Sequence, residues 1–232
     1  YTRLMKELNF ENILDNNHVI RLKPGVYRIN EPLIMRNHAC AIIGSGSRNT
    51  IILQTSTNKN GIECLPPQGM TNDVEIVDEQ LSGSILIQDI GICTNNDNQG
   101  IAINVNGQNT SWDRVTMRTI IENVFIGSYS QSMFDAGWKF GIKLTNCNGT
   151  KIEGCAICGK AFLNYNNVFS TYGIHITANA ERPDEILRGT EYFITNNKIT
   201  YFSTGLYCGE GYEGIQVVNN VIIKCLYGCY TS

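Results

Sequence analysis

The chain has 232 residues, enough for one large domain or two small ones and for burial of about 70% of its extended surface. Charged residues make up 17%, against roughly 25% in an average soluble domain, while 27 Asn and 22 Gly stand beside only 5 Pro, a turn-rich composition that leans to β structure. A net charge of −3 without a Lys/Arg cluster supplies no counterion-release footprint for nucleic acid, and no apolar run approaches the roughly 18 residues of a membrane-spanning helix.

The first twenty residues read differently from the rest. Leu4, Met5 and Leu8, then Ile13 and Leu14, predict a short amphipathic helix over 1–20 that caps a body running from 21 to 232. "YTRLMKELNF" lacks the basic flank and apolar stretch of a signal peptide, and the missing initiator Met places the true N-terminus upstream. Next come "LKPGVYRINEPL" at 22–33 and "AIIGSGSRNTIIL" at 41–53. Within the second, "GSGSRNT" lacks the Gly-Lys-Ser/Thr ending and the following helix of a phosphate loop, so it reads as a turn.

From residue 87 a six-residue frame repeats: "IQDIGI" at 87, "IENVFI" at 121, "IEGCAI" at 152, "ITNNKI" at 194 and "VVNNVI" at 217. Positions one and six are always aliphatic. Position three is Asp89, Asn123, Gly154, Asn196 or Asn219, residue types that tolerate left-handed backbone, so the frame predicts strand, sharp bend, strand. A second element follows each frame: "GIAI" at 100, "GIKL" at 141, "GIHI" at 173, "GLYC" at 205 and "GCY" at 228. The last two copies of both elements advance together, 217 − 194 = 228 − 205 = 23 residues, which sets the length of one rung. Earlier copies lie further apart, so extra residues sit in loops at 93–119, 127–140, 158–172 and 177–193. Fixed strands with variable loops define a β-solenoid, and without strict hexapeptide periodicity the expected fold is an all-β, right-handed parallel β-helix of three strands per rung. "GCYTS" stops inside a rung, so the chain reads as the front part of a longer solenoid.

Nine cysteines, odd in number and unevenly spaced, argue against a disulfide framework and for folding in a reducing compartment. Cys155 and Cys158 form a C-x-x-C without partners in metal-site spacing, and Cys155 shares its frame position with Ile90 and Val124, which makes it a small core residue. No metal or cofactor is expected. The sequons at Asn109 and Asn148 would matter only in a eukaryotic secretory route.

The two opening segments resemble the start of the pectate-lyase-like β-helix proteins, with a Pro-Gly-x-Tyr turn and an Ile-x-Gly-x-Gly segment. "ITNNKITYFSTGL" and "VVNNVIIKCLYGC" resemble the rungs of bacteriophage tailspikes within that superfamily. The resemblance covers most of the chain from about residue 20. It implies a homotrimeric virion tail protein, folded in the host cytoplasm and acting outside it beside other tail proteins, that binds and cleaves a bacterial surface polysaccharide such as O-antigen or capsule. Bacterial polysaccharide lyases and epimerases share the rungs. A non-catalytic receptor-binding or structural solenoid also fits the residues.

Glycosidic cleavage needs two carboxylates on the outer wall. Glu122 and Glu153 share frame position two, beside inward position one, so alternation turns both outward on successive rungs, in a column that also holds Gln88, Thr195 and Val218. Stacked at about 4.8 Å, their like charges should drive one pKa up. Glu210 and Glu213 in "GEGYEG" are the alternative pair, and the loops add Asp113, Asp135, Asp184, Glu185 and Glu191. Trp112 and Trp138 are the expected sugar-stacking residues, with Tyr129, Phe134 and Tyr165 on the same loops. These acids form no Asp cluster of the kind that holds a metal in the lyases of the superfamily, which favours hydrolysis. His175, between Ile174 and Ile176, is expected on the surface.

Overall fold

The computed structural model describes residues 18–36, 39–65, 84–106, 118–130, 132–145, 147, 149–177, 189–209 and 212–231. Three strands recur seven times. Rung one is His18–Arg21, Gly25–Ile29 and Leu33–Arg36; rung two is Ala39–Ile43, Thr50–Gln54 and Ile62–Leu65. Rungs three and four are Ser84–Gln88, Gly91–Thr94 and Asp97–Asn106, then Arg118–Glu122, Phe125–Ser128 and Gly137–Thr145. Rung five is Lys151–Glu153, Ala156–Cys158 and Tyr172–Thr177; rung six Gly189–Thr195, Lys198–Thr200 and Thr204–Cys208; rung seven Tyr212–Val218, Val221–Ile223 and Tyr227–Thr231. Like strands stack in parallel into three seven-stranded sheets, the first, second and third in chain order, and the chain is a right-handed parallel β-helix.

The frame columns are the core. Ile42, Ile87, Ile121, Ile152, Ile194 and Val217 stand in register on the first sheet, and Ile52, Ile92, Ile126, Ile157, Ile199 and Ile222 on the second. From rung two to rung six these side chains are buried, each contributing roughly 1.5–3 kcal/mol, whereas Val217 is 43% exposed on the outermost described rung. In rungs three to seven the bend between the two sheets is two residues, frame positions three and four, and turns on the first of them. Asp89, Asn123, Gly154, Asn196 and Asn219 all have φ between 53° and 64°, the left-handed backbone that their residue types favour.

Position four of the frame faces inward. Ile90, Val124 and Cys155 fill it with apolar atoms in rungs three to five, and then Asn197 and Asn220 take over. Asn197 accepts from the Cys155 amide at 2.9 Å and donates to Ile152 O at 2.9 Å, while Asn220 Nδ2 donates to Ile194 O at 2.6 Å. Side-chain amides here satisfy backbone groups that the sharp bend removes from the ladder.

On the third sheet the inward column is Leu33, Ile62, Ile103, Ile142, Ile174, Leu206 and Cys229. Aligning "GIAI" on "GIKL" by their glycines is therefore two residues out, because Ile103 and not Ile101 pairs with Ile142. The slip crosses a corner of the strand, so Ile103 keeps the inward reading whereas Ile101, in the column of Phe140 and Tyr172, is left partly exposed. The residue ahead of the inward one, glycine in rungs two and four to seven, sits at a corner where alternation fails: Gly173 and Ile174 are both buried, and Tyr172 is left outside. Gly141, Gly173 and Gly205 occupy this corner in rungs four to six.

The first strand starts at His18 and pairs with Cys40–Ile43, inside the segment assigned to the cap. The remainder of the expected capping helix, residues 1–17, lies outside the described residues.

Candidate functional site

Glu122 and Glu153 are direct register partners on the outer wall of the first sheet, followed by Thr195 and preceded by Gln88. The column is as expected; its electrostatics are not. Lys151, two residues before Glu153 and so on the same strand face, forms an ion pair with it. This hydrogen-bonded ammonium, with Asn196 Nδ2 at 3.4 Å, holds the Glu153 carboxyl below the usual carboxylate range, and Glu153 and Glu122 raise the Lys151 pKa in turn. For Glu153 this cation, and not the like charge expected from Glu122, is the dominant influence. Glu153 is thus kept ionised while remaining 29% exposed.

The tryptophan assignments fare differently. Trp138 has no exposed surface: the third strand of rung four begins at Gly137, and the register slips between Trp138 and Phe140, turning the indole into the core. Its Nε1 donates to Ile92 O at 3.3 Å. No ring face is open to a sugar. Trp112, Asp113, Asp184, Glu185 and Glu210 lie outside the described residues, and Glu213 is on the first strand of rung seven with its side chain undescribed. Tyr129 and Phe134 are exposed, at 40% and 47%, on the loop before Trp138. Asp135, on the same loop, accepts from Ser130 Oγ at 2.6 Å.

The outer wall of the second sheet carries a feature that sequence reading did not find, a groove of about 360 Å³ crossing rungs four to seven. Its floor is low because Ala156 and Cys158 present small side chains where longer ones would project. Arg48, Lys198 and Lys224 line it, with hydroxyls from Ser128, Ser130 and Thr200. The Arg48 guanidinium lies 3.5 Å from the centroid of Phe125, and Lys224 Nζ donates to the Tyr201 hydroxyl at 2.7 Å. Tyr201 and Lys224, 23 residues apart at the same corner of successive rungs, have φ of 63° and 54°. Left-handed backbone at residues that are neither Gly nor Asn costs on the order of 1–3 kcal/mol and is concentrated at functional sites. The groove and the Glu122–Glu153 column stand on the two walls that meet at the bend.

Cys155 and Cys158 do not converge. Cys155 is in the core, its thiol pushed up to about 12 by burial, whereas Cys158 faces outward into the groove, its thiol also raised by burial. Odd and even positions of extended chain point to opposite faces, so a C-x-x-C that follows the bend into the second strand cannot present both sulfurs to one ion.

His175 does alternate outward, but into an aromatic ladder and not into open solvent. Its ring stacks on Tyr172 at 4.4 Å and meets Tyr207 edge-on at 4.9 Å; Phe140 and Tyr230 extend the ladder to either side. Nδ1 is shielded from water and makes no hydrogen bond. Desolvation, aided by the register neighbour Lys143, lowers the pKa from 6.5 to about 4. Between those values the unfolded chain binds more protons than the folded one, so this contribution to stability is present above pH 6.5 and is lost as pH falls towards 4. Allowing for solvent screening of a half-buried ring, about 1 kcal/mol should disappear over that window. Urea titrations across it, compared with His175→Phe, check this: the variant should lose less stability on acidification.

No family model, curated protein or solved structure matches the chain, and the reading of its site rests on the fold and on the two outer walls just described.

Proposed function

We propose that the chain is part of a bacteriophage tailspike-type β-helix that binds a bacterial surface polysaccharide in the groove of the second sheet. The supporting observation is the groove itself. It is concave, runs along stacked rungs, and offers serine and threonine hydroxyls beside charged donors, the chemistry that recognises a polyhydroxylated chain. The setting would be a virion tail, with the homotrimer implied by the resemblance.

Cleavage by Glu122 and Glu153 is a second reading, favoured by their exact-register pairing one bend away from the groove. In this reading Glu153, held ionised by Lys151, takes the attacking role, which leaves Glu122 as its partner across the column. Rungs about 4.8 Å apart suit the roughly 5–5.5 Å carboxylate separation of retaining enzymes.

One experiment separates the two. Purified protein is incubated with capsular or O-antigen polysaccharide, with binding, new reducing ends and unsaturated ends all measured. Ala156→Trp, which fills the groove floor, should abolish binding while leaving the melting temperature unchanged; wild-type binding in this variant refutes the groove reading. Glu122→Gln or Glu153→Gln should lower reducing-end release by about 10²- to 10⁴-fold and leave binding intact. Full activity in both would remove the pair and shift cleavage to Glu210 and Glu213. Unsaturated ends would replace hydrolysis by elimination.

A further inference from the structure

We infer that the polysaccharide taken by this groove is anionic, bearing carboxylate or sulfate groups along its length. The inference rests on the groove being a saccharide site and adds its charge.

Three cations line the groove, and they come from separate parts of the chain: Arg48 before the second strand of rung two, Lys198 on that of rung six and Lys224 after that of rung seven. Among the described residues no Asp or Glu lines it; Asp135 stands behind Ser130, which donates to it. In a chain of net charge −3, a wall with three cations and no carboxylate is a local reversal of sign. Such a concave surface concentrates anions.

The cations are also held in place. Arg48 lies against the Phe125 face, and Lys224 is held by the hydroxyl of Tyr201 and lies 4.9 Å from the centre of its ring. Holding both long side chains before the ligand arrives reduces the rotamer entropy lost on binding. A guanidinium has five N–H donors, and stacking on a ring face leaves those of Arg48 in its plane for an oxyanion. Lys198, on rung six, is exposed and follows Phe125 and Ala156 in one register column, next to Ala156. Its charge and that of Arg48 both bear on the Cys158 thiol, so the two cations flank the same stretch of floor.

The spacing favours an extended chain over a single ion. From the Phe125 strand to the Val221–Ile223 strand is three rung steps, about 14 Å at the usual strand separation. An oxyanion repeated along a sugar chain can meet Lys198 and Lys224 on neighbouring rungs, with Ser128 and Thr200 left for ring hydroxyls. A nucleic acid fits less well, because Arg48 and Lys224 occupy faces of the Phe125 and Tyr201 rings on which bases would stack.

Calorimetric titration with matched hexamers tests the inference: maltohexaose as the neutral chain, an alginate hexamer for carboxylate, a sulfated dextran hexamer for sulfate, and hexathymidylate as the non-saccharide polyanion. The expected result is that alginate or sulfated dextran binds at least about tenfold more tightly than maltohexaose, weakens as salt is raised, and loses about tenfold with Lys198→Gln and again with Lys224→Gln. Lys59→Gln, on a residue paired with Glu31 away from the groove, should change nothing. Whichever of the two anionic sugars binds identifies the anion. Equal affinity for maltohexaose would overturn the charge inference and leave the saccharide reading standing. Hexathymidylate binding as tightly as the sugars, or no heat from any saccharide, would overturn both. Unchanged affinity in the two lysine variants, with melting temperatures confirming their folds, would overturn the assignment to this groove.

Discussion

Gly173→Val should lower the stability of the β-helix by about 3 kcal/mol or more, read as a fall in urea midpoint at unchanged slope. A Cβ at this corner would run into Ile199 Cγ2, a member of the second sheet's core column, and would stand 2.6 Å from the Gly205 carbonyl on the next rung. Neither obstacle is the end of a flexible surface chain. Relief requires the third sheet to move away from the second, which opens the core on both sides. The same corner in rung three is Ala102, so the smaller Gly173→Ala change should be milder than valine. Gly228 is the internal control. It holds the equivalent corner in rung seven, where a Cβ would meet nothing within 4 Å, and Gly228→Ala should stay within about 0.5 kcal/mol of the parent. Comparable losses at both positions would mean that glycine is needed here for backbone conformation and not for close approach.

Trp138→Ala should cost about 3–5 kcal/mol and leave saccharide binding untouched. The indole is the largest fully buried side chain among the described residues, and its N–H is satisfied by Ile92 O at 3.3 Å. Truncation removes that volume from the centre of the stack and leaves a carbonyl without its indole donor. Chemical denaturation measures the first part; titration with the polysaccharide that binds the parent measures the second. Weakened binding at full stability would return Trp138 to the sugar site.

The core was legible where the connection between first and second strands is two residues long. There the aliphatic residues at frame positions one and six and the turn former at position three keep a fixed spacing, as in Ile121–Asn123–Ile126. Rungs one and two obey the same physics with longer first connections, Leu22–Pro24 and Gly44–Asn49, so Ile20 and Ile42 belong to the column without belonging to the frame. Trp138 was misplaced because the strand after the loop starts several residues before its glycine marker. Lys151 was visible beside Glu153; strand alternation puts them on one face, and the ion pair follows. The groove was not legible, because it joins Arg48 to Lys224 through stacking and owes its depth to what Ala156 and Cys158 lack. One trace of it was present: Tyr201 and Lys224 are separated by the rung length of 23 residues and hold the same corner.

All nine cysteines are reduced, and they are spread along the stack, from Cys64 in rung two through Cys93, Cys155 and Cys208 to Cys229 in rung seven. Burial pushes Cys93, Cys155 and Cys208 up to about 12, so at neutral pH an alkylating reagent finds neither a thiolate nor a path to the sulfur. Cys229 is exposed. The molecule therefore carries its own clock of opening: each buried sulfur becomes modifiable only when its rung detaches, and the order in which those masses appear after that of Cys229 distinguishes a stack that frays rung by rung from one that opens all together.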